Sequence, residues 1–128
     1  MTDRTIATVL CVAAEQLTLA MRGLVLQSEG YEVISASTFE DAMRLAATRD
    51  PDLIICEQTI GKESGARLAD CLKQLHPETP ILLITGVMES IPQSLAVDAI
   101  MTKIDGPETF LRNVAALLES PGRRPHAA

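Results

Sequence analysis

No run of apolar residues in this chain approaches the roughly 20 needed to cross a bilayer as a helix, so no membrane role is expected. The opening residues, Met1 to Thr5, lack the long apolar core of a secretory signal, which makes the cytoplasm the expected location. A basic surface is missing as well. Lys and Arg number 11 against 17 Asp and Glu, giving a net charge of −6, and no Lys/Arg cluster forms the patch that phosphate contacts require. Nucleic acid is therefore not an expected partner.

The cysteines exclude further classes. There are 3, an odd number, with no CxxC pair and no metal-ligand spacing, which argues against a disulfide framework or a zinc site. Cys11 and Cys56 lie in apolar, strand-like runs and Cys71 in a helical pattern, so buried reduced thiols are expected. His76, before Pro77, and His126, in the tail, have no ligand-spaced partner, and no metal site is expected. Internal repeats and interdomain linkers are absent too.

What is present is an ordinary globular composition, 47% hydrophobic and 22% charged, in a chain of 128 residues that fits one domain. Periodicity gives strands alternating with helices. Ile6 to Val12 is a continuous apolar run, the mark of a strand covered on both faces. Leu17, Ala20, Met21, Leu24 and Val25 follow helical spacing, and Gly30 is a stop signal. A short strand, Glu32 to Ser35, leads to a helix capped by Ser37 or Thr38, with Phe39, Ala42, Met43 and Ala46 facing inward. Asp50-Pro51 ends it.

Leu53 to Cys56 forms a third buried strand that ends at Glu57, and Gly61 and Gly65 bracket a loop. Leu68, Leu72 and Leu75 make the next helical stripe, and Ile81 to Ile84 a fourth strand ending at Thr85. Gly86 to Ala96 is ambiguous because Pro92 falls where a helix would run. Ala99 to Thr102 reads as a fifth strand, and Pro107 suits the first turn of a last helix with Phe110, Leu111, Val114, Leu117 and Leu118 inward. The expected division is one domain over 1–119 and a disordered tail over 120–128. Alternation of this kind means an α/β fold, doubly wound, with a parallel sheet and helices on both faces. Function in such folds gathers at the carboxyl ends of the strands, which here carry Ala13, Ala14, Glu57, Thr85 and Lys103.

From about Thr5 to Glu119 this order resembles the receiver domains of two-component response regulators. The resemblance rests on "GYEV" before the second strand, "PDLIIC" before Glu57, a Gly beyond it, "ILLIT" in the fourth strand and "TK" after the fifth. It implies a CheY-like, flavodoxin-like sheet in the order 2-1-3-4-5. In that family two acids after the first strand hold magnesium, and an aspartate after the third accepts a phosphoryl group. A Thr or Ser after the fourth strand and a Lys after the fifth bind the phosphoryl oxygens. Thr85 and Lys103 match that pattern. The acid pair is replaced by Ala13 and Ala14, and the phosphoacceptor position holds Glu57.

Alanine cannot supply the hard oxygen ligands that magnesium needs, so magnesium binding is expected to be lost and no cofactor to take its place. Glu15 follows the lost pair, but an acid opening a helix is favoured there by the dipole alone. Without the metal, phosphoryl transfer loses its main charge stabiliser, and the longer side chain of Glu57 displaces the nucleophile. The switch position, where the family often has an aromatic, is Ile100. The Thr85–Lys103 stretch is short by about one helical turn, which implies a short or irregular fourth helix. Ile104 stands where the family has a cis-proline. A cis bond there would cost roughly 2.5–4 kcal/mol, so a trans peptide is expected.

The expectation is a stand-alone atypical receiver, or pseudo-receiver, not an enzyme. It would act in phosphorelay-type signalling by phosphorylation-independent contact with a protein, a histidine kinase or output protein, or with a second copy of itself. The candidate surfaces are the first-helix face, Glu15 to Glu29, and the stretch Met88 to Phe110, where Met88, Ile91 and Leu95 would form an apolar patch. Two alternatives stay open: a conventional phosphoryl-accepting regulator, and a small-molecule sensor using room left by Ala13 and Ala14. Two readings of Glu57 with Lys103 also stay open. The pair could imitate phosphoaspartate, with about one negative charge in place of nearly two, or it could be a half-buried ion pair that only stabilises the fold.

Overall fold

A computed structural model of the chain describes residues 6–86 and 94–119. Elements follow in the order β1 (Thr8–Val12), α1 (Gln16–Ser28), β2 (Glu32–Ala36), α2 (Phe39–Thr48), β3 (Leu53–Glu57), β4 (Thr59–Ile60), β5 (Glu63–Ser64), α3 (Gly65–Leu75), β6 (Ile81–Thr85), β7 (Ala99–Thr102) and α4 (Gly106–Leu118). Five strands pair in parallel in the order β2-β1-β3-β6-β7, the doubly wound arrangement the sequence implies.

Period-two alternation on these strands builds two cores. Leu10, Val12, Ile54, Cys56, Ile81 and Leu83 point to one face and pack with Ala42, Ala46, Leu68 and Leu72 of α2 and α3. Val9, Cys11, Leu53, Ile55, Leu82 and Ile84 point to the other and pack with Leu19, Leu26, Phe110 and Val114 of α1 and α4. β3 and β6 are buried at every position, which is why they read as unbroken apolar runs.

Local signals explain most boundaries. The Thr38 side chain accepts from the Asp41 backbone N–H at 3.0 Å and caps α2, and Ser64 caps α3 by accepting from Arg67 N–H. Gly30 follows α1 with φ +89°, a left-handed conformation that glycine adopts without strain. At the opposite end of the sheet, Asp52 is buried and accepts from Thr8 N–H at 2.8 Å, tying the start of β1 to the approach of β3.

Three expectations need correction or relocation. The inward stripe of α1 is Leu19, Gly23 and Leu26, while Leu17, Met21 and Leu24 are 66%, 58% and 69% exposed. α1 is apolar nearly all round, so several helical spacings fit it equally well and only tertiary packing chooses. The Gly61–Gly65 loop contains a small antiparallel hairpin, β4 with β5, too short to leave a periodic signature. Leu75 ends α3 half-exposed, with Ala69 buried beside Leu68 and Leu72. The described residues contain four helices; the irregular segment from Gly86 to Ala96 falls mainly on 87–93, outside the described residues, as do Met88, Ile91, His126 and the tail 120–128. Leu95 is fully exposed.

The inverted α1 stripe is directly testable. Leu26→Ala is expected to cost about 2–5 kcal/mol of unfolding free energy, and Leu24→Ala less than about 0.5 kcal/mol, in urea titrations.

Candidate functional site

Parallel strands that end at one edge bring residues distant in sequence side by side. Glu57 lies opposite Ile84 and Thr85 opposite Thr102, so the ends of β3, β6 and β7 are adjacent. Backbone bonds continue the ladder past the strands: Gln58 N–H donates to Ile84 O at 2.9 Å, and Lys103 N–H to Thr85 O at 3.1 Å. Gly65 brings the start of α3 against this corner. A Cβ there would lie 1.9 Å from the Glu57 carbonyl oxygen, so only glycine fits.

Glu57 is 5% exposed. Burying an unpaired carboxylate is prohibitive, and two cations meet this one. Lys103 Nζ stands 3.1 Å from Oε1, and Arg22 Nη1 forms the second ion pair with Oε2. The two differ in burial: the Arg22 side chain is 16% exposed and that of Lys103 58%. Arg22 is therefore the less screened partner and the stronger one. It reaches the site from the second turn of α1 because helical side chains lean towards the helix N-terminus, which here faces the carboxyl edge of the sheet.

The other expected site residues fall around this trio. Ala13 is buried and Ala14 exposed, and neither carries an oxygen on its side chain. Glu15 is exposed and accepts from the Thr18 hydroxyl at 2.7 Å, within its own helix turn. Thr85 is buried at the end of β6, and Ile100 is 39% exposed on β7. No cis peptide occurs among the described residues, Ile104 included. A cleft at this edge opens between α1 and α4, and neither Ala13 nor Ala14 lines it.

Arg22 is the functional residue that sequence reasoning missed. A signal was available. It is the only charged residue in α1, and a single charge on an otherwise uncharged, apolar helix calls for a partner.

Buried thiols flank the trio. Burial pushes Cys56, next to Glu57, up to about 12, and the neighbouring carboxylate adds to the rise. Burial likewise pushes Cys11 up to about 12, with Arg22 acting in the opposite direction. Cys71 is only partly buried.

Two measurements follow from this electrostatics. Arg22→Met should destabilise the chain by about 3 kcal/mol at neutral pH, because it strands a buried carboxylate, whereas Lys103→Met should cost about 1 kcal/mol or less. Urea unfolding of the two variants checks the ranking. The thiols set an alkaline limit. Their folded pKa lies above the unfolded value of 9.0, so their contribution is intact below that pH and is lost as pH rises towards about 12. Between about pH 7 and pH 10 the pair should remove about 2–3 kcal/mol. A Cys11→Ala, Cys56→Ala variant should show a correspondingly flatter profile.

Comparison with known proteins places this edge in context. Residues 9–106 match the response regulator receiver domain. The alkaline phosphatase synthesis transcriptional regulatory protein PhoP of Bacillus subtilis is 32% identical over 114 residues, 86% of this chain and 48% of PhoP. The phosphate regulon transcriptional regulatory protein PhoB of Pseudomonas aeruginosa is 31% identical over 121 residues, 90% of this chain and 53% of PhoB. The chain thus spans about half the length of these relatives. Its fold is similar to that of chemotaxis protein CheY4 of Vibrio cholerae, with a TM-score of 0.80 and 25% identity over 88% of this chain and 99% of CheY4. A CheY-like receiver domain protein from Methanospirillum hungatei gives a TM-score of 0.80 at 21% identity, over 90% of this chain and 95% of that one. With the family pattern matched across most of the chain, and its strand-end positions gathered at one edge, the chain belongs to the response regulator receiver domain family.

Proposed function

We propose that this receiver domain signals without phosphorylation, as a binding module for another protein, and that it is not an enzyme. The observation that carries the reading is the pairing of Glu57 with both Arg22 and Lys103. A carboxylate that attacks phosphorus must present a free lone pair, and both oxygens of this one already face a cation. Phosphoryl attack would have to break two ion pairs in a buried setting, where each is worth most.

Magnesium is the cofactor the family implies, and the residues here do not fit it. Ala13 and Ala14 offer no side-chain oxygen, and Glu15 spends its carboxylate on Thr18. Arg22 brings a positive charge onto Glu57, the buried carboxylate at this edge. Among the described residues no three His, Cys, Asp or Glu side chains gather to hold a metal. On this reading Glu57, Arg22 and Lys103 form a structural trio, one side chain of which comes from α1. This favours the ion-pair account of Glu57 and Lys103 over imitation of phosphoaspartate, since two cations leave no surplus negative charge to imitate with.

The partner surface is the outer face of α1. Leu17, Met21 and Leu24 stand exposed on a helix whose only charge is turned to Glu57, and Ile104 is 74% exposed on the loop after β7. A charge-poor apolar face of this kind suits a protein with an apolar face of its own, a kinase or output protein in this family. Family membership by itself favours the alternative, ordinary phosphoryl acceptance, and one experiment separates the two. The chain is incubated with acetyl phosphate and magnesium and read by intact mass, with Glu57→Gln as control. No gain of mass and no magnesium-dependent change in melting temperature are expected. A magnesium-dependent phosphoryl adduct absent from the control would restore the conventional role.

A further inference from the structure

The cleft between α1 and α4 opens beside the face assigned to a protein partner and shares Met21 with it at the rim. It encloses about 280 Å³, close to the lower end of the volumes that hold small ligands. Its walls are mostly apolar, from Met21 and Val25 of α1, Ile84 at the end of β6 and Phe110 of α4. The polar side chains on this space are Thr18, whose hydroxyl donates to Glu15, and the two cations Arg22 and Lys103.

We propose that this cleft binds a compact amphipathic monocarboxylate, an aryl or branched-chain acid, with the carboxylate towards Arg22 and Lys103 and the apolar body against α1 and α4. Charge complementarity selects the anion. Two cations share the single carboxylate of Glu57, which leaves the cleft with a surplus positive charge in a chain of net charge −6. Arg22 meets Glu57 through Nη1, and its side chain makes no further hydrogen bond among the described residues, although a guanidinium carries five N–H groups. Met101, beside Ile84 on this face of the sheet, adds to the apolar wall. A carboxylate accepts from both cations. A bare phosphate would satisfy the cations but leave the apolar walls facing water, and a neutral apolar ligand would leave the cations unmet.

The probe is 4-phenylbutyrate, with 4-phenylbutyramide as its neutral counterpart, followed by ¹H–¹⁵N correlation spectra of the intact chain. The acid should produce saturable shifts at Met21, Thr102 and Lys103, with a Kd of about 1 mM or tighter. The amide should bind about tenfold more weakly. Lys103→Met should weaken the acid and leave the amide unchanged, and Met21→Trp, filling the rim, should weaken both; the dispersion of each spectrum verifies folding. Absence of saturable shifts at millimolar acid, equal affinity for the amide, or shifts confined to Leu17 and Leu24 on the outer face of α1 would each overturn the proposal. None of these readouts depends on whether Glu57 accepts a phosphoryl group, so this proposal and the preceding one fail separately.

Discussion

The constraint on which the carboxyl edge of the sheet depends is the buried charge of Glu57. Burying a carboxylate to 5% exposure requires countercharges, and the chain supplies two. Arg22 comes from α1 and Lys103 from the residue after β7. Glu57 therefore joins the first helix, the central strand and the far strand of the sheet in one electrostatic unit. Gly65 completes the corner, since any larger residue would collide with the backbone of Glu57 itself.

The parts of the fold that could be read directly are those where burial imposes a pattern. β3 and β6 are covered on both faces, so their sequences admit only apolar residues and stand out as runs. α2 and α3 each have one wet face, and their caps at Thr38 and Ser64 are local. α1 has no such contrast. Its residues are apolar on the inner face because of the core and on the outer face for another reason, and composition alone cannot tell the two apart. The helical spacing of Leu17, Met21 and Leu24 therefore does not say which face is the core, and Leu19 and Leu26 hold that position. The hairpin β4–β5 was invisible because two residues per strand carry no period.

The site was half legible for a similar reason. Glu57, Thr85 and Lys103 each end a strand, and a doubly wound sheet puts strand ends together whatever lies between them. Arg22 ends nothing. It lies in mid-helix, and its meeting with Glu57 depends on the rotation of α1 about its axis, the one quantity the apolar pattern of α1 leaves undetermined. The same undetermined rotation hid both the exposed face of the helix and the partner of the buried acid.

The trio also bears on how such a domain could change state. A receiver that is phosphorylated gains charge at the end of its third strand, and that change in charge is what biases its conformation. On the proposed reading the charge at that position is built in and balanced by Arg22 and Lys103, so nothing internal to the edge supplies two states of different energy. A switch then requires an outside group that interacts differently with two arrangements of the edge. The groups placed to respond are Arg22 and Lys103, because each lines the cleft while holding Glu57. An anion entering the cleft would compete with Glu57 for both cations, and loosening Arg22 would free α1, the helix whose outer face is offered to a partner. If both proposals hold, cleft and partner surface are coupled through one side chain, that of Arg22.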